Sequence, residues 1–285
     1  MAIVAPSGFL PRARFFAGLA WLQGRYRVEL SSAVFARKGY FAGDDSERLA
    51  SLSERMCDPG IRAIIAGRGG YGATRIVSSL PWARWAKSPS WIVGFSDVTA
   101  LHLEAHAHGI ASVHAPNVTG FGCARPLDRL RVMRALEGGV LESWPGLTAV
   151  RDGDADGPLV GGNLALMFAR AASGKLTNCE GAIVVLEDVT EKPYQVDRML
   201  QALLEAGLFD KAAAVVFGEF SQCDAGPDGV SVAFVIEGFA TKIRCPVYSG
   251  APFGHGTRNE AMILGGKASL LRGVLSVHTR PLARC

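Results

Sequence analysis

The sequence predicts an α/β protein whose first half is a parallel sheet with helices on both faces and whose second half is a mixed α/β or α+β unit. Three observations carry this expectation. Apolar runs alternate with amphipathic helical stretches through the first 120 or so residues, these runs lack the strict in/out alternation of a half-exposed sheet, and turns rich in glycine stand where several of them end. A chain of 285 residues, 49% hydrophobic and 20% charged, is long enough for two domains or one large one.

Residues 2–5 form a first strand that stops at Pro6-Ser7-Gly8. Arg12 to Gly24 is a helix with Phe15, Leu19 and Leu22 on one side, and Tyr26–Leu30 is a second strand. Asp44 or Asp45 opens a helix that runs through Met56 to Asp58-Pro59-Gly60, and Arg62–Ala66 is a buried strand. After it come Gly67-Arg-Gly-Gly-Tyr-Gly72, a helix over 73–80, a strand starting at Trp91, a helix beyond Asp97 and a short strand over Ile110–Val113. Residues 123–146 are helical and then loop-like. The polar stretch Arg151-Asp-Gly-Asp-Ala-Asp-Gly157 reads as a junction, giving a first domain over 1–145, a linker over 146–157 and a second domain over 158–285. In the second domain helices are expected over 164–172, 194–206 and 232–241, strands over 181–186, 213–217 and 246–249, and one or two strands from Ala261 to His278.

Charge and cysteine usage narrow the function. The net charge of +4 is spread along the chain without a basic block, which argues against a nucleic-acid binder. The N-terminus lacks the features of a signal peptide, and no run approaches the ~18 apolar residues of a membrane helix. The cysteines at 57, 123, 179, 223, 245 and 285 contain no C-x-x-C pair and suit reduced thiols, so a cytoplasmic location is expected.

Ser96 is the first candidate site residue. Trp91, Ile92 and Val93 are strand-like, whereas Val98, Leu101 and Ala105 share a helical face, so the period changes at Ser96. A strand-turn-helix corner lifts a side chain clear of a sheet, as acyl transfer requires of a nucleophile. Gly94-x-Ser96 keeps half of the G-x-S-x-G pattern, with Val98 in place of the second glycine; the competing reading is that Ser96 or Asp97 caps a helix. Glu187 and His255 follow at a strand end and in a glycine-flanked turn, in the chain order Ser, acid, His used by several serine hydrolases. Order alone leaves His255 open to a structural role and Glu187 to an ion pair with Lys192 or Arg198.

The stretch 67–72 matches G-x-G-x-x-G, but no acid for a ribose occurs between Ala73 and Ser96. Glycine N–H groups beside a nucleophile suit an oxyanion hole instead, and the N–H groups of Gly70 and Asp97 are the expected donors. His102 and His106, one helical turn apart, lack a third metal ligand, and Asp152, Asp154 and Asp156 lack the distal Glu of a calcium loop. A solvated or hydrogen-bonded helix face is the expectation for the histidines, and a polar junction for the aspartates.

Taken together, Ala5-Pro-Ser7, the 67–72 turn, Gly94-Phe-Ser-Asp-Val-Thr-Ala-Leu-His102, His114-Ala-Pro116, Leu159-Val-Gly-Gly-Asn-Leu164, Leu186-Glu-Asp188, Pro193-Tyr-Gln-Val-Asp-Arg-Met-Leu200, Phe217-Gly218 and Gly254-His-Gly256 resemble the LD-carboxypeptidases of the serine peptidase S66 type, which include the microcin C immunity proteins. The resemblance spans nearly the whole chain. It implies a Rossmann-like or flavodoxin-like N-terminal domain, a β-rich α/β C-terminal domain, an active site between them, and a triad of Ser96, Glu187 and His255. It also implies a cytoplasmic homodimer without metal or cofactor, acting on murein tetrapeptides in peptidoglycan recycling. The alternative within the family is an aminoacyl-nucleotide hydrolase; an NAD-dependent oxidoreductase and a non-catalytic peptide binder are the readings from other classes. Two departures, Leu264-Gly-Gly266 for the usual Leu-Pro-x-Gly and His114-Ala-Pro for His-Gly-Pro, bear on substrate choice.

Overall fold

A computed structural model describes residues 1–278. Among the described residues the chain forms two compact units, the first comprising Met1–Gly139 with Glu260–Ile263 and the second Val140–Asn259 with Leu264–His278. The expected Cys285 lies outside the described residues; the other five cysteines are free thiols. No helix among the described residues is long and apolar enough to cross a membrane.

The first unit contains β1 (Ala2–Val4), α1 (Arg12–Gln23), β2 (Glu29–Leu30), α2 (Asp45–Cys57), β3 (Ala63–Ala66), α3 (Ala73–Ile76), α4 (Trp82–Trp85), β4 (Trp91–Gly94), α5 (Thr99–Ala107), β5 (Ser112–His114), α6 (Val118–Phe121) and α7 (Pro126–Glu137). Its strands run in the order β2-β1-β3-β4-β5, all parallel. That is the flavodoxin-like order, in which ligands bind beyond the carboxyl ends of the strands where the order reverses. The turn at 5–8 follows β1, the 67–72 turn follows β3 and Ser96 follows β4, so all three stand at that end of the sheet. β1, β3 and β4 are buried throughout, which is why their sequences are continuous apolar runs. α2 starts at a capping box in which Asp44 accepts the Glu47 N–H and Glu47 reaches back to the Asp44 N–H.

Two expected elements are shorter than their patterns. The strand over 26–30 shrinks to Glu29–Leu30 because Arg25 and the Tyr26 hydroxyl donate to Glu137 at the end of α7. The helix over 73–80 tightens to a 3₁₀ turn over Val77–Ser79, with Pro81 barring its continuation.

The second unit contains β6 (Thr148–Arg151), β7 (Ala155–Asn163), α8 (Leu164–Ala172), β8 (Ile183–Val189), α9 (Pro193–Glu205), β9 (Ala214–Ser221), α10 (Val232–Lys242) and β10 (Val247–Ser249). The chain then adds β11 (Met262–Leu264) beside β5 in the first sheet, and closes with β12 (Lys267–Leu271) and β13 (Val274–Val277). The second sheet has the order β13-β12-β7-β8-β9-β10-β6. Its centre, β7-β8-β9-β10, is parallel and its flanks are antiparallel. The mixed α/β expectation holds, with three strands after Ala261 where one or two were expected.

The stretch 146–157 is not a linker. It carries β6 and the start of β7, paired with β10 and β12. Its aspartates serve the fold: Asp152 accepts the Tyr248 hydroxyl, and Asp154 accepts the Arg272 N–H at 2.9 Å. No cluster of potential metal ligands occurs among the described residues.

Candidate active site

In the first unit, Ser96 has φ of +65°, a left-handed conformation that costs a non-glycine residue of order 1 kcal/mol and must be held by its surroundings. Three contacts hold it. Asn117 holds the backbone of the preceding residue, its Oδ1 accepting the Phe95 N–H at 3.3 Å and its Nδ2 donating to the Phe95 carbonyl at 3.5 Å. His102, fully buried on α5, uses one ring nitrogen on the Gly94 carbonyl (2.9 Å) and the other on Ser112 Oγ (2.8 Å). Gly69 packs directly on the serine: a Cβ there would lie 2.8 Å from Ser96 Cβ and 3.0 Å from its Oγ. Only glycine allows the 67–72 turn so close to the hydroxyl.

The turn itself is fastened to β1. Gly8 N–H donates to the Gly69 carbonyl at 3.0 Å, and Gly67 N–H to the Val4 carbonyl at 2.7 Å. The buried Arg48 of α2 donates to the carbonyls of both Pro6 and Gly72, closing the strap between the two loops. Asp97 is also buried; its Oδ2 accepts the Ala73 N–H at 2.7 Å, so the residue after the serine caps α3. Burial pushes the Asp97 carboxyl above the usual carboxylate range, opposed by the Ala73 N–H and the charge of Arg48. The Asp97 carboxylate is engaged through Oδ2 alone, and its backbone N–H is left for a ligand. Neither that N–H nor the N–H of Gly70 donates to an acceptor among the described residues.

Burial lowers the His102 pKa from 6.5 to about 4, against the pull of the Gly94 carbonyl, so the ring is neutral and bridges two fixed partners. The unfolded chain therefore binds this proton at a higher pH than the folded one. Stability from this site is complete above pH 6.5 and is lost as pH falls from 6.5 toward 4, by roughly 3 kcal/mol in all. In urea titrations at pH 7 and 4.5 the wild type is expected to lose more stability than a His102→Gln variant; equal losses would contradict the assignment.

In the second unit, Glu187 lies on β8, fully buried, and its Oε2 accepts from His255 Nδ1 at 2.7 Å. Burial by itself lowers the His255 pKa, but the hydrogen bond and charge of Glu187, with the charge of Asp188, outweigh it and leave the imidazole above its ordinary value. The histidine turn fits because Gly256 has no side chain: a Cβ there would overlap Glu219 Oε2 of β9. Behind the acid, Asn163 Nδ2 donates to Asp188 Oδ1 at 2.9 Å and approaches Glu187 Oε1 at 3.4 Å. Asp188 also accepts the N–H groups of Val189 and Ala165, tying the acid-bearing strand to the start of α8. Burial, with the charge of Glu187 adding to it, raises the Asp188 carboxyl to about 6.

The structure thus brings Ser96 against the Gly69-Gly70 turn, and Glu187 into a hydrogen bond with His255. The competing reading of Asp97 as a cap is met in part, on α3 instead of its own helix. Glu187 is hydrogen-bonded to His255, not ion-paired with Lys192 or Arg198, among the described contacts. His102 does not join His106 as a ligand pair, since both its nitrogens are engaged. The roles of Asn117, Asn163 and Arg48 were not foreseen; only the sequence neighbours His114-Ala-Pro and Val-Gly-Gly, part of the quoted motifs, offered a signal for the two asparagines.

Comparison with known proteins agrees over both units. Residues 1–115 match the family described as LD-carboxypeptidase N-terminal domain, and residues 156–270 match the LD-carboxypeptidase C-terminal domain. The chain is 32% identical to the murein tetrapeptide carboxypeptidase of Pseudomonas aeruginosa over 96% of its own length and 93% of the relative. Among solved structures, muramoyltetrapeptide carboxypeptidase from Oxalobacter formigenes superposes with a TM-score of 0.88 at 30% identity, covering 99% of this chain and 100% of that one. The microcin C7 self immunity protein MccF in complex with aspartyl sulfamoyl adenosine has a TM-score of 0.86 at 20% identity, covering 99% and 96%, a likeness of fold alone.

Proposed function

Because the chain belongs to the LD-carboxypeptidase family of serine carboxypeptidases, we propose that it hydrolyses the bond between the L-centre of the diamino acid and the terminal D-alanine of murein tetrapeptides, through Ser96, Glu187 and His255. The observation that carries the assignment of residues is the 2.7 Å hydrogen bond from His255 Nδ1 to a fully buried Glu187. A proton held on Nδ1 leaves the lone pair on Nε2, the nitrogen that then serves as general base. Ser96 Oγ attacks the scissile carbonyl as His255 takes its proton, and the N–H groups of Gly70 and Asp97 receive the developing oxyanion. His255 returns the proton to the departing amine of D-alanine. Water, activated by the same imidazole, hydrolyses the tripeptide ester on Ser96.

This chemistry needs neutral His255. Since Glu187 holds its pKa above 6.5, kcat/KM is expected to fall with acidification around a midpoint above pH 6.5. The residual activity of a Glu187→Gln variant is expected to show that midpoint at lower pH, because burial then acts with less opposition. A pH–rate profile of both enzymes checks the sign, and an unmoved midpoint would detach His255 from the limb.

The substrate reading is tested by incubating the enzyme with a tetrapeptide carrying meso-diaminopimelate and D-alanine, and in parallel with aspartyl sulfamoyl adenosine. Release of D-alanine and tripeptide from the first, with the second intact, is the expected result. Cleavage of the sulfamoyl adenosine alone would replace it with the microcin-immunity type of reaction. A cytoplasmic homodimer acting in peptidoglycan recycling accords with that substrate, and sedimentation of the purified chain reads the dimer directly.

A further inference from the structure

A carboxypeptidase cuts only the last peptide bond, so its substrate carries a free carboxylate one residue beyond the scissile carbonyl, about 3.5 Å of extended chain away. Selecting that terminus calls for a cation within a residue's reach of the oxyanion donors, preferably a planar fork that pairs with both carboxylate oxygens. Arg68 meets this description. It stands inside the 67–72 turn, directly before Gly69, whose Cβ position is 3.0 Å from Ser96 Oγ. Its Nη1 donates to the Phe9 carbonyl at 2.8 Å, and its guanidinium carbon lies 5.4 Å from the Phe9 ring centre. Nη1 is also 3.7 Å from the point a Cβ would occupy on Gly8, the residue against which Gly70 packs. The head is therefore anchored beside the Gly69-Gly70 peptide, while its Nε and Nη2 make no hydrogen bond and no ion pair among the described residues.

The neighbouring cations are committed elsewhere. Arg48 is buried and spans Pro6, Gly72 and Asp45. Arg75 pairs with Asp45 at 2.6 Å, Lys38 lies 3.9 Å from Asp44, and Arg37 lies over the Phe9 ring at 4.1 Å and donates to the Gly39 carbonyl. Resting on the carboxypeptidase reading, we propose that Arg68 binds the α-carboxylate of the substrate's C-terminal D-amino acid. One turn then supplies both the oxyanion donor and the clamp that restricts cleavage to the chain end.

The test compares two peptides, the tetrapeptide ending in D-alanine and the same peptide ending in D-alaninamide, with wild-type, Arg68→Gln, Arg68→Lys and Arg258→Gln enzymes, Arg258 being the arginine three residues beyond His255 in the chain. Wild type is expected to prefer the free carboxylate in kcat/KM by about 100-fold or more, the usual effect of truncating a charge pair. Arg68→Gln is expected to lose most of that preference, its kcat/KM falling far more on the carboxylate peptide than on the amide, with circular dichroism reporting an intact fold. Arg68→Lys, which keeps the charge without the fork, is expected to fall between. Equal losses on both peptides, or an unchanged preference, would overturn the role of Arg68, as would transfer of the selective loss to Arg258→Gln. Wild type releasing alanine or its amide from neither peptide would overturn the carboxypeptidase reading and the Arg68 role together.

Discussion

Ser96→Ala is expected to lower kcat for D-alanine release by ~10⁴–10⁶-fold while the protein stays folded. The loss follows from removing the atom proposed to form the ester; the proposed oxyanion donors Gly70 and Asp97 and the Glu187–His255 hydrogen bond remain, so binding should survive. The fold survives because the corner is held from outside the side chain. Asn117 binds the Phe95 peptide, His102 binds the Gly94 carbonyl and Asp97 caps α3. Alanine accepts the φ of +65° no worse than serine does, so the thermal midpoint should move by no more than a few degrees. Calorimetry beside the activity assay separates the two effects, and a variant retaining more than a tenth of wild-type kcat would remove Ser96 from the chemistry.

The second large effect is expected from Glu187→Gln, about 10⁴-fold in kcat by analogy with triads in which the acid becomes an amide. Glutamine is nearly isosteric, yet its amide N–H donates where the carboxylate accepts. His255 Nδ1, now facing a donor, gives up its proton, and the neutral ring carries hydrogen on Nε2 instead. The base is then in the wrong tautomer. The carbonyl oxygen of the glutamine can still rotate to Nδ1, but Asn163 Nδ2 stands 3.4 Å from Oε1 and favours an oxygen there, so the amide nitrogen is directed toward the histidine. A nitrogen-15 shift of His255 reports the tautomer independently of rate. Unchanged shifts together with unchanged kcat would exclude Glu187 as the orienting acid.

The residues proposed for chemistry were legible because each interrupts a pattern. The hydrophobic period switches at Ser96, an apolar strand ends in two acids at Glu187-Asp188, and His255 sits between two glycines. The first sheet was legible for the same reason, its buried strands being uninterrupted apolar runs. What stayed hidden depends on contacts distant in sequence. β7 reads as a loop because Gly157, Pro158, Gly161 and Gly162 erase the strand pattern. At Gly161, however, the Val185 carbonyl of β8 occupies the place of a side chain, so the glycine is there to let two strands approach. The return of Met262–Leu264 to the first sheet cannot be read from three apolar residues, which fit either sheet equally. Likewise Asn117 and Asp188 look like loop polar residues until the peptide or helix end that each satisfies is placed beside it.

The most direct test of the central claim is the fate of Ser96 during turnover. Enzyme is mixed with the tetrapeptide, quenched in acid within the first turnover and digested, and the peptide spanning residues 91–102 is weighed. The expected result is a fraction of that peptide heavier by the tripeptide less one water, formed as D-alanine appears and absent from the Ser96→Ala enzyme. Turnover with the substrate-derived acyl group on a different peptide, or undiminished release of D-alanine by Ser96→Ala, would contradict it.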